Sequence, residues 1–322
     1  MYRIIDKKQL TPLIYSLEVE APRIASSAKP GQFLIVRTGE RGERIPLTIC
    51  DYDIERGTVR IVVQIAGVSS NKICQLNVGD FLSDVAGPLG KPSDFMDIPA
   101  DKLKSKRYLF VAGGVGAAPV YPQARYLYEK GAYVDVIIGA RNKDLIIMED
   151  KMRKVCTNLY ICTDDGSKGE KGVVTLLMER LAATHSSVAD VITPSSASDA
   201  AILSSASDAA TPSSASDAAT PSEYDMCVAI GPMIMMKFAT LTAKKLGLPI
   251  TVSLNTLMVD GTGMCGACRV SVAGKTMFAC VDGPEFNGYD VDFDEAMRRQ
   301  TLYWQQEQAA NDAAGLDFLI RR

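Results

Sequence analysis

Residues 259–270 read VDGTGMCGACRV, and the reactive groups in that stretch are two thiols and a carboxylate. Cys265 and Cys268 have two residues between them in a glycine-rich loop, and Cys280 follows after eleven more. The loop of a two-iron cluster is spaced Cys-x4-Cys-x2-Cys, with a fourth Cys further on. Counting back from Cys265 by that spacing lands on Asp260, so the pattern here is Asp260-x4-Cys265-x2-Cys268-x11-Cys280. A carboxylate oxygen is a harder donor than a thiolate and ligates iron, so the four together are candidate ligands of a [2Fe-2S] cluster, a one-electron carrier. A water or a neighbouring residue is the alternative to Asp260 as fourth ligand. Gly261, Gly263 and Gly266 let the backbone wrap closely and turn N–H groups toward the sulfurs. A zinc half-site would need a second cysteine pair or histidines, and His185 is the one histidine in the chain. A redox disulfide would need thioredoxin-like surroundings, which the flanking sequence lacks.

A second stretch, VAGGVGAAP at 111–119, follows an apolar run and opens a helical one. In that context Gly113, Gly114 and Gly116 bring the backbone up to a pyrophosphate at a helix N-terminus, and Pro119 sits in the first turn. GPMIMM at 231–236 again follows a strand, which makes Gly231 and Pro232 a second tight turn on the same sheet edge, where ligands bind in open α/β folds. TDDGSKGEKG at 163–172 is a third loop, equally readable as a surface turn. Arg141 ends the second strand, where an NAD-specific fold often carries an acid; it meets a 2′-phosphate or stacks on adenine, so NAD versus NADP stays open.

A third stretch, ERIPLTICD at 43–51, places a proline inside a strand-like run. Pro46 marks an edge or bulge where backbone is presented to something. Arg44 beside it is suited to a phosphate and the Thr48 hydroxyl to a ring nitrogen. Downstream, AGVSSNK at 66–72 adds Gly67, Ser69 and Ser70 as phosphate contacts.

These residues need elements to carry them. SLEVEA, QFLIVRTG, VRIVVQIAG and DFLSDVAG in residues 1–100 are short alternating strands broken by turns, the pattern of an antiparallel barrel. From about 103 the pattern changes to strands alternating with helices: RYLFVAGG, then YPQARYLYEKG, YVDVIIGAR, NLYICT and DMCVAIG. That order predicts a parallel sheet covered on both faces. Residues 193–222 are a nine-residue Ser/Ala/Asp repeat with almost no apolar surface to offset the entropy of ordering, so they read as a disordered insertion without a catalytic role. Cys50, Cys74, Cys156, Cys162 and Cys227 lie in or beside apolar strands and read as buried small hydrophobes. Trp304 in the polar tail is either a partner anchor or packed on its own domain.

The bulk numbers narrow the class. With 322 residues, 47% hydrophobic, and a formal charge of −3, the chain suits a globular protein of two or three domains. The mild acidity leaves no footprint for nucleic acid or an anionic membrane. No apolar run approaches the roughly 20 residues that span a bilayer. The start lacks the pattern of a signal peptide, so a reducing cytoplasm is the expected setting.

The order of an RxPLT barrel, a GGVGxAP sheet domain, a GPMxMM turn and a C-terminal two-iron loop resembles the ferredoxin-reductase superfamily. More narrowly it is similar to the branch holding the dihydroorotate dehydrogenase electron-transfer subunit and the small subunit of NADH-dependent reduced ferredoxin:NADP oxidoreductase. The resemblance covers almost the whole chain, the 193–222 repeat excepted. It implies FAD on the Arg44–Pro46–Leu47–Thr48 stretch and around Gly67–Ser70, a nicotinamide nucleotide on Gly113–Pro119, and a [2Fe-2S] cluster in the last segment. With the pattern changes along the chain, the expected ranges are 1–100 for an FAD barrel, 101–244 for a Rossmann-like NAD(P) domain, 245–290 for the cluster segment and 291–322 for a helical tail. The dihydroorotate branch uses four cysteines, whereas the ferredoxin:NADP branch has aspartate first, and Asp260 favours the latter. The resemblance further implies a partner, a larger iron–sulfur flavoprotein like the glutamate synthase small subunit, with ferredoxin reached through the complex. Hydride transfer to a flavin needs no acid or base from the protein, so no catalytic side chain is expected. A zinc-stabilised nucleotide-binding module is the non-enzymatic alternative.

Overall fold

The computed structural model describes residues 1–40, 42–186 and 224–316; the 193–222 repeat lies outside them. The N-terminal unit is built from β1 (Tyr2–Thr11), β2 (Ile14–Glu20), β3 (Phe33–Arg37), β4 (Ile45–Asp53), β5 (Thr58–Gln64), β6 (Phe81–Leu82) and β7 (Asp84–Leu89), with the short helix α1 (Pro22–Ala25) and α2 (Val68–Gln75). These strands form one antiparallel sheet in the order β6-β1-β2-β5-β4-β3-β7. β6 and β7 stand at opposite ends of that order, yet only Ser83 separates them in sequence, so the sheet must curl until its ends meet. The result is the expected barrel, nearly closed. Side chains alternate along each strand: Leu17 and Val19, Leu34 and Val36, and Val59, Ile61 and Val63 fill the interior. Phe33 and Ile35 point the other way, into a core shared with the C-terminal segment.

After α3 (Ala100–Leu103) come β8 (Arg107–Gly113), α4 (Ala117–Glu129), β9 (Tyr133–Ala140), α5 (Glu149–Met152), β10 (Asn158–Thr163), β11 (Glu170–Lys171) and α6 (Val174–Ser186). Beyond Tyr224 the chain continues as β12 (Met226–Ile230), α7 (Met233–Lys245) and β13 (Ile250–Ser253). The strands pair parallel in the order β11-β10-β9-β8-β12-β13. Burial on both faces explains their near-continuous apolar sequence. Tyr108, Phe110 and Ala112 pack under α4, whereas Leu109 and Val111 pack under α6 and α7. The chain leaves β8 outward through β9 and β10 and returns to its other side at β12, so the strand order reverses between β8 and β12.

The last segment forms the hairpin β14 (Arg269–Val272) and β15 (Lys275–Phe278), turned at Ala273 and Gly274, both at positive φ. It then returns as β16 (Glu285–Asn287), antiparallel to β13 on the edge of the nucleotide sheet. The cysteine loop and hairpin are thus inserted between two neighbouring strands of that sheet. The sequence division at 244/245 puts β13 and β16 outside it, because four- and three-residue strands carry too little alternation to be told from loop. The tail holds α8 (Phe293–Gln300) and α9 (Trp304–Ala313). Asp292 caps α8 by accepting from the Glu295 N–H at 2.9 Å, with acids in its first turn and Arg298 and Arg299 in its last. No helix among the described residues is long and apolar enough to cross a membrane.

Candidate functional site

Positive-φ glycines shape the cysteine loop: Gly261, Gly263 and Gly266 have φ of 79°, 82° and 65°. A side chain at Gly261 would come within 2.6 Å of Leu89 and 2.8 Å of Ile35, so the absence of a Cβ seats this loop on the outer face of β3 and β7. Within the loop the Asp260 carboxylate accepts from the N–H of Thr262 at 2.8 Å and of Cys265 at 2.9 Å. Those donors, Thr262 first, hold its carboxyl below the usual aspartate range. Cys268 and Cys280 are buried, their sulfurs 3.2 Å apart, while Cys265 is exposed. Burial, then the neighbouring Cys268 thiol, pushes Cys280 up to about 12, so the Cys280 sulfur keeps its proton unless a cation takes its place.

No three metal-ligating side chains converge on one point among the described residues, so the loop is not a closed metal cage. Its donor chemistry nevertheless fits iron: one pair of sulfurs is adjacent, and the third sulfur and a carboxylate lie on the same short loop. Asp260, Cys265, Cys268 and Cys280 are the residues that would hold a cluster here. α8 braces both flanks of the loop, Arg299 Nη2 donating to the Ala267 carbonyl at 3.1 Å and Gln300 Nε2 to that of Asn255 at 2.9 Å.

The nucleotide turns meet at the carboxyl edge of the parallel sheet. A Cβ at Gly116 would fall 2.1 Å from the Ile230 carbonyl, and one at Gly231 would fall 3.0 Å from Gly113 Cα. Close packing therefore demands glycine at Gly113, Gly116 and Gly231. Gly114 differs: its φ is 55° and nothing lies within 4 Å of its Cβ position, so it presents open backbone. Pro119 lies in the first turn of α4 and Pro232 caps α7. Arg141 is exposed beside the 163–172 loop, its carbonyl accepting from the Asp165 N–H at 3.2 Å.

The barrel stretches also come together. Ser69 Oγ, at the start of α2, donates to the Glu43 carboxylate, which brings the 66–72 turn against the 43–48 stretch. Pro46 is opposite Ile35 on β3, while β5 pairs only with Ile49–Asp53. The proline thus occupies the part of β4 that lacks a second neighbour, where no ladder N–H is missed. Leu47 and Thr48 are half-buried on that same part of the strand. Ser70 Oγ accepts from the N–H of Ala66 at 2.9 Å and of Gly67 at 3.0 Å, closing its own turn. The start of α2, held against the 43–48 stretch through Ser69 and Glu43, is the helix N-terminus that a flavin pyrophosphate would use.

Three features escaped the sequence reading. The Arg44 guanidinium reaches the cluster loop, Nε donating to the Val259 carbonyl at 2.7 Å and Nη2 to that of Asp260 at 3.4 Å. Asn311 of α9, 5% exposed, accepts from the Val68 N–H at 3.1 Å and so caps α2. Glu285 accepts from Ser93 Oγ at 3.0 Å and Gln123 Nε2 at 2.7 Å, joining β16, the barrel and α4. Burial outweighs those donors and pushes its carboxyl up to about 7. Each joins residues too far apart in sequence for local patterning to register; the acid of GPEF, at the head of a short strand, was the one local sign. Cys50, Cys74, Cys156, Cys162 and Cys227 are all buried, as expected.

A near-closed antiparallel barrel beside a doubly covered parallel sheet, with a cysteine loop inserted at its edge, is a ferredoxin-reductase-like architecture. The iron–sulfur cluster binding domain of dihydroorotate dehydrogenase B matches residues 255–292. A Clostridium beijerinckii protein, described as an uncharacterized protein in the adh 3′ region, is 49% identical over 307 residues, covering 95% of this chain and 92% of its own. The Thermotoga maritima homolog of the dihydroorotate dehydrogenase B (NAD(+)) electron transfer subunit is 40% identical over 304 residues, 94% of this chain and 92% of that one. Among solved structures, a chain of the NADH-dependent reduced ferredoxin-NADP oxidoreductase is 38% identical with a TM-score of 0.78, covering 97% of both chains. The chain belongs to the family of dihydroorotate dehydrogenase B electron-transfer subunits and their homologues. It is an oxidoreductase electron-transfer subunit of the flavin and iron–sulfur type, and such a subunit works with a catalytic partner. The expected cofactors, FAD, an iron–sulfur cluster and NAD(P), agree with that membership.

Proposed function

We propose that this chain passes electrons between a nicotinamide nucleotide and a larger iron–sulfur flavoprotein, in a complex of the NADH-dependent ferredoxin:NADP oxidoreductase type. The observation that carries the reading is the seat of the cysteine loop: Gly261 rests on Ile35 and Leu89, which sets the Asp260 loop directly on the barrel. Bound FAD would exchange two electrons with a nicotinamide and pass them singly to a cluster. The residues of the chain hold and orient. Backbone at Gly113–Gly116 and Gly231 receives the nucleotide phosphates, with Arg141 at the adenosine end. Arg44, Thr48 and the start of α2 receive the flavin. Asp260, Cys265, Cys268 and Cys280 ligate a [2Fe-2S] cluster, Asp260 in the position a cysteine fills elsewhere.

Around exposed Cys265 the surface is apolar: Val259, Val281 and, at 88% exposure, Met264. Leu302, Tyr303 and Trp304, just beyond α8, are exposed as well. An open apolar rim at the point of electron exit suits a partner subunit rather than a small substrate.

The test is to purify the chain with its native partner and assay the pair. NADP reduction that requires both NADH and reduced ferredoxin supports the proposal. Orotate-linked NAD reduction without ferredoxin dependence would instead place the chain with a dihydroorotate dehydrogenase, the activity named for its Thermotoga maritima relative.

A further inference from the structure

Arg44 stands at the head of β4, next to Glu43, whose carboxylate holds Ser69 at the start of α2. Its backbone thus borders the flavin cradle, but its guanidinium spans the boundary between barrel and cluster segment. A guanidinium has five N–H donors in a rigid fork. Three are engaged: Nε–H to the Val259 carbonyl at 2.7 Å, Nη2 to the Asp260 carbonyl at 3.4 Å, and Nη1 to Asp84 Oδ2 on β7 at 3.5 Å. Two are left, enough for a phosphate oxygen on the open side. Asp260 is consequently fixed twice, its carbonyl by the barrel and its carboxylate by the N–H groups of Thr262 and Cys265.

We propose that Arg44 is a positioning residue that couples the two redox sites, holding the cluster loop by its main chain while its remaining donors meet the flavin phosphate. The proposal rests on the flavin and cluster reading above and adds a dependence between them: flavin binding fixes the guanidinium, and the fixed guanidinium fixes the first ligand-bearing residue of the cluster. Lysine cannot substitute. A single ammonium on a flexible stem meets a phosphate as a point charge but cannot fork across two successive carbonyls.

The experiment uses the full chain, loaded anaerobically with both groups, as wild type, Arg44→Lys and Arg44→Ala. Three quantities are read: flavin affinity by fluorescence titration, the rate of iron loss to a chelator, and the EPR spectrum after dithionite. Arg44→Lys is expected to keep its flavin while losing iron at least about tenfold faster, the scale seen when partners that orient metal ligands are removed. Its EPR line shape changes with it, and flavin-stripped wild type loses iron faster than flavin-loaded wild type. Arg44→Lys losing flavin but holding iron at the wild-type rate with an unchanged spectrum overturns the proposal and leaves Arg44 a phosphate ligand alone. Equal iron loss from stripped and loaded wild type overturns the coupling. A wild-type chain that takes up neither flavin nor iron defeats the underlying reading instead, and is recognised by its lack of colour.

Discussion

The sulfurs of Cys268 and Cys280 lie 3.2 Å apart, although the β14–β15 hairpin separates them in sequence. The hairpin therefore brings one end of the cysteine pattern back onto the other. Replacing either by serine leaves a harder oxygen in a buried site built for sulfur. Cys268→Ser or Cys280→Ser is expected to lower bound iron by at least about tenfold, measured as iron and acid-labile sulfide per chain. Full retention of iron in both variants would mean that the cluster sits elsewhere.

Glu285 gives the chain a pH-dependent stability. Its carboxyl stands at about 7 in the folded state against an ordinary value of 4.5, so folding favours the protonated form. The stabilisation is complete below pH 4.5 and is lost as pH rises through 7. A glutamine side chain in its place would still accept from Ser93 and Gln123 and would carry no charge. Glu285→Gln is therefore expected to match wild type at pH 4.5 and to exceed it by ~2 kcal/mol at pH 8, by denaturant unfolding. Parallel pH profiles for the two proteins would show that the group is well solvated.

The two kinds of glycine at the nucleotide turns should separate in stability. The change Gly116→Ala would drive a methyl into the Ile230 carbonyl, which is backbone and cannot yield. A methyl at Gly114 would meet no atom, and that variant would suffer only from its positive φ. Expected losses are ~2 kcal/mol for Gly116→Ala and ~1 kcal/mol for Gly114→Ala, and the reverse order in unfolding experiments would contradict this packing.

Asn311 ties the C-terminal helix to the barrel through one hydrogen bond to an orphan N–H of α2. Asn311→Ala is expected to cost about 1 kcal/mol and to speed hydrogen exchange at the Val68 amide. Unchanged protection at Val68 would show that the amide has another acceptor.

Which of these relationships the sequence announces follows from their range. The barrel was legible because its strands alternate, as in VRIVVQ of β5, and the parallel sheet because near-continuous apolar runs such as YVDVIIGA of β9 alternate with helical stretches. The cysteine pattern was legible because its spacing is local. β13 and β16 were not, since ITVS and EFN are too short to show a period, and their pairing is set by the chain between them. Arg44 is a candidate phosphate contact in the sequence from its place beside Pro46. Its hold on Val259, 215 positions away, depends on how two domains abut and leaves no local trace.

The most direct test of the account is anaerobic reduction of the whole chain with dithionite, followed by visible and EPR spectroscopy, on wild type and Asp260→Cys. The account predicts flavin bands in the oxidised protein, a reduced two-iron signal, and a change in that signal when Asp260 is exchanged for thiolate. A signal identical in both proteins would remove Asp260 from the iron, and a colourless protein containing zinc would contradict the redox function outright.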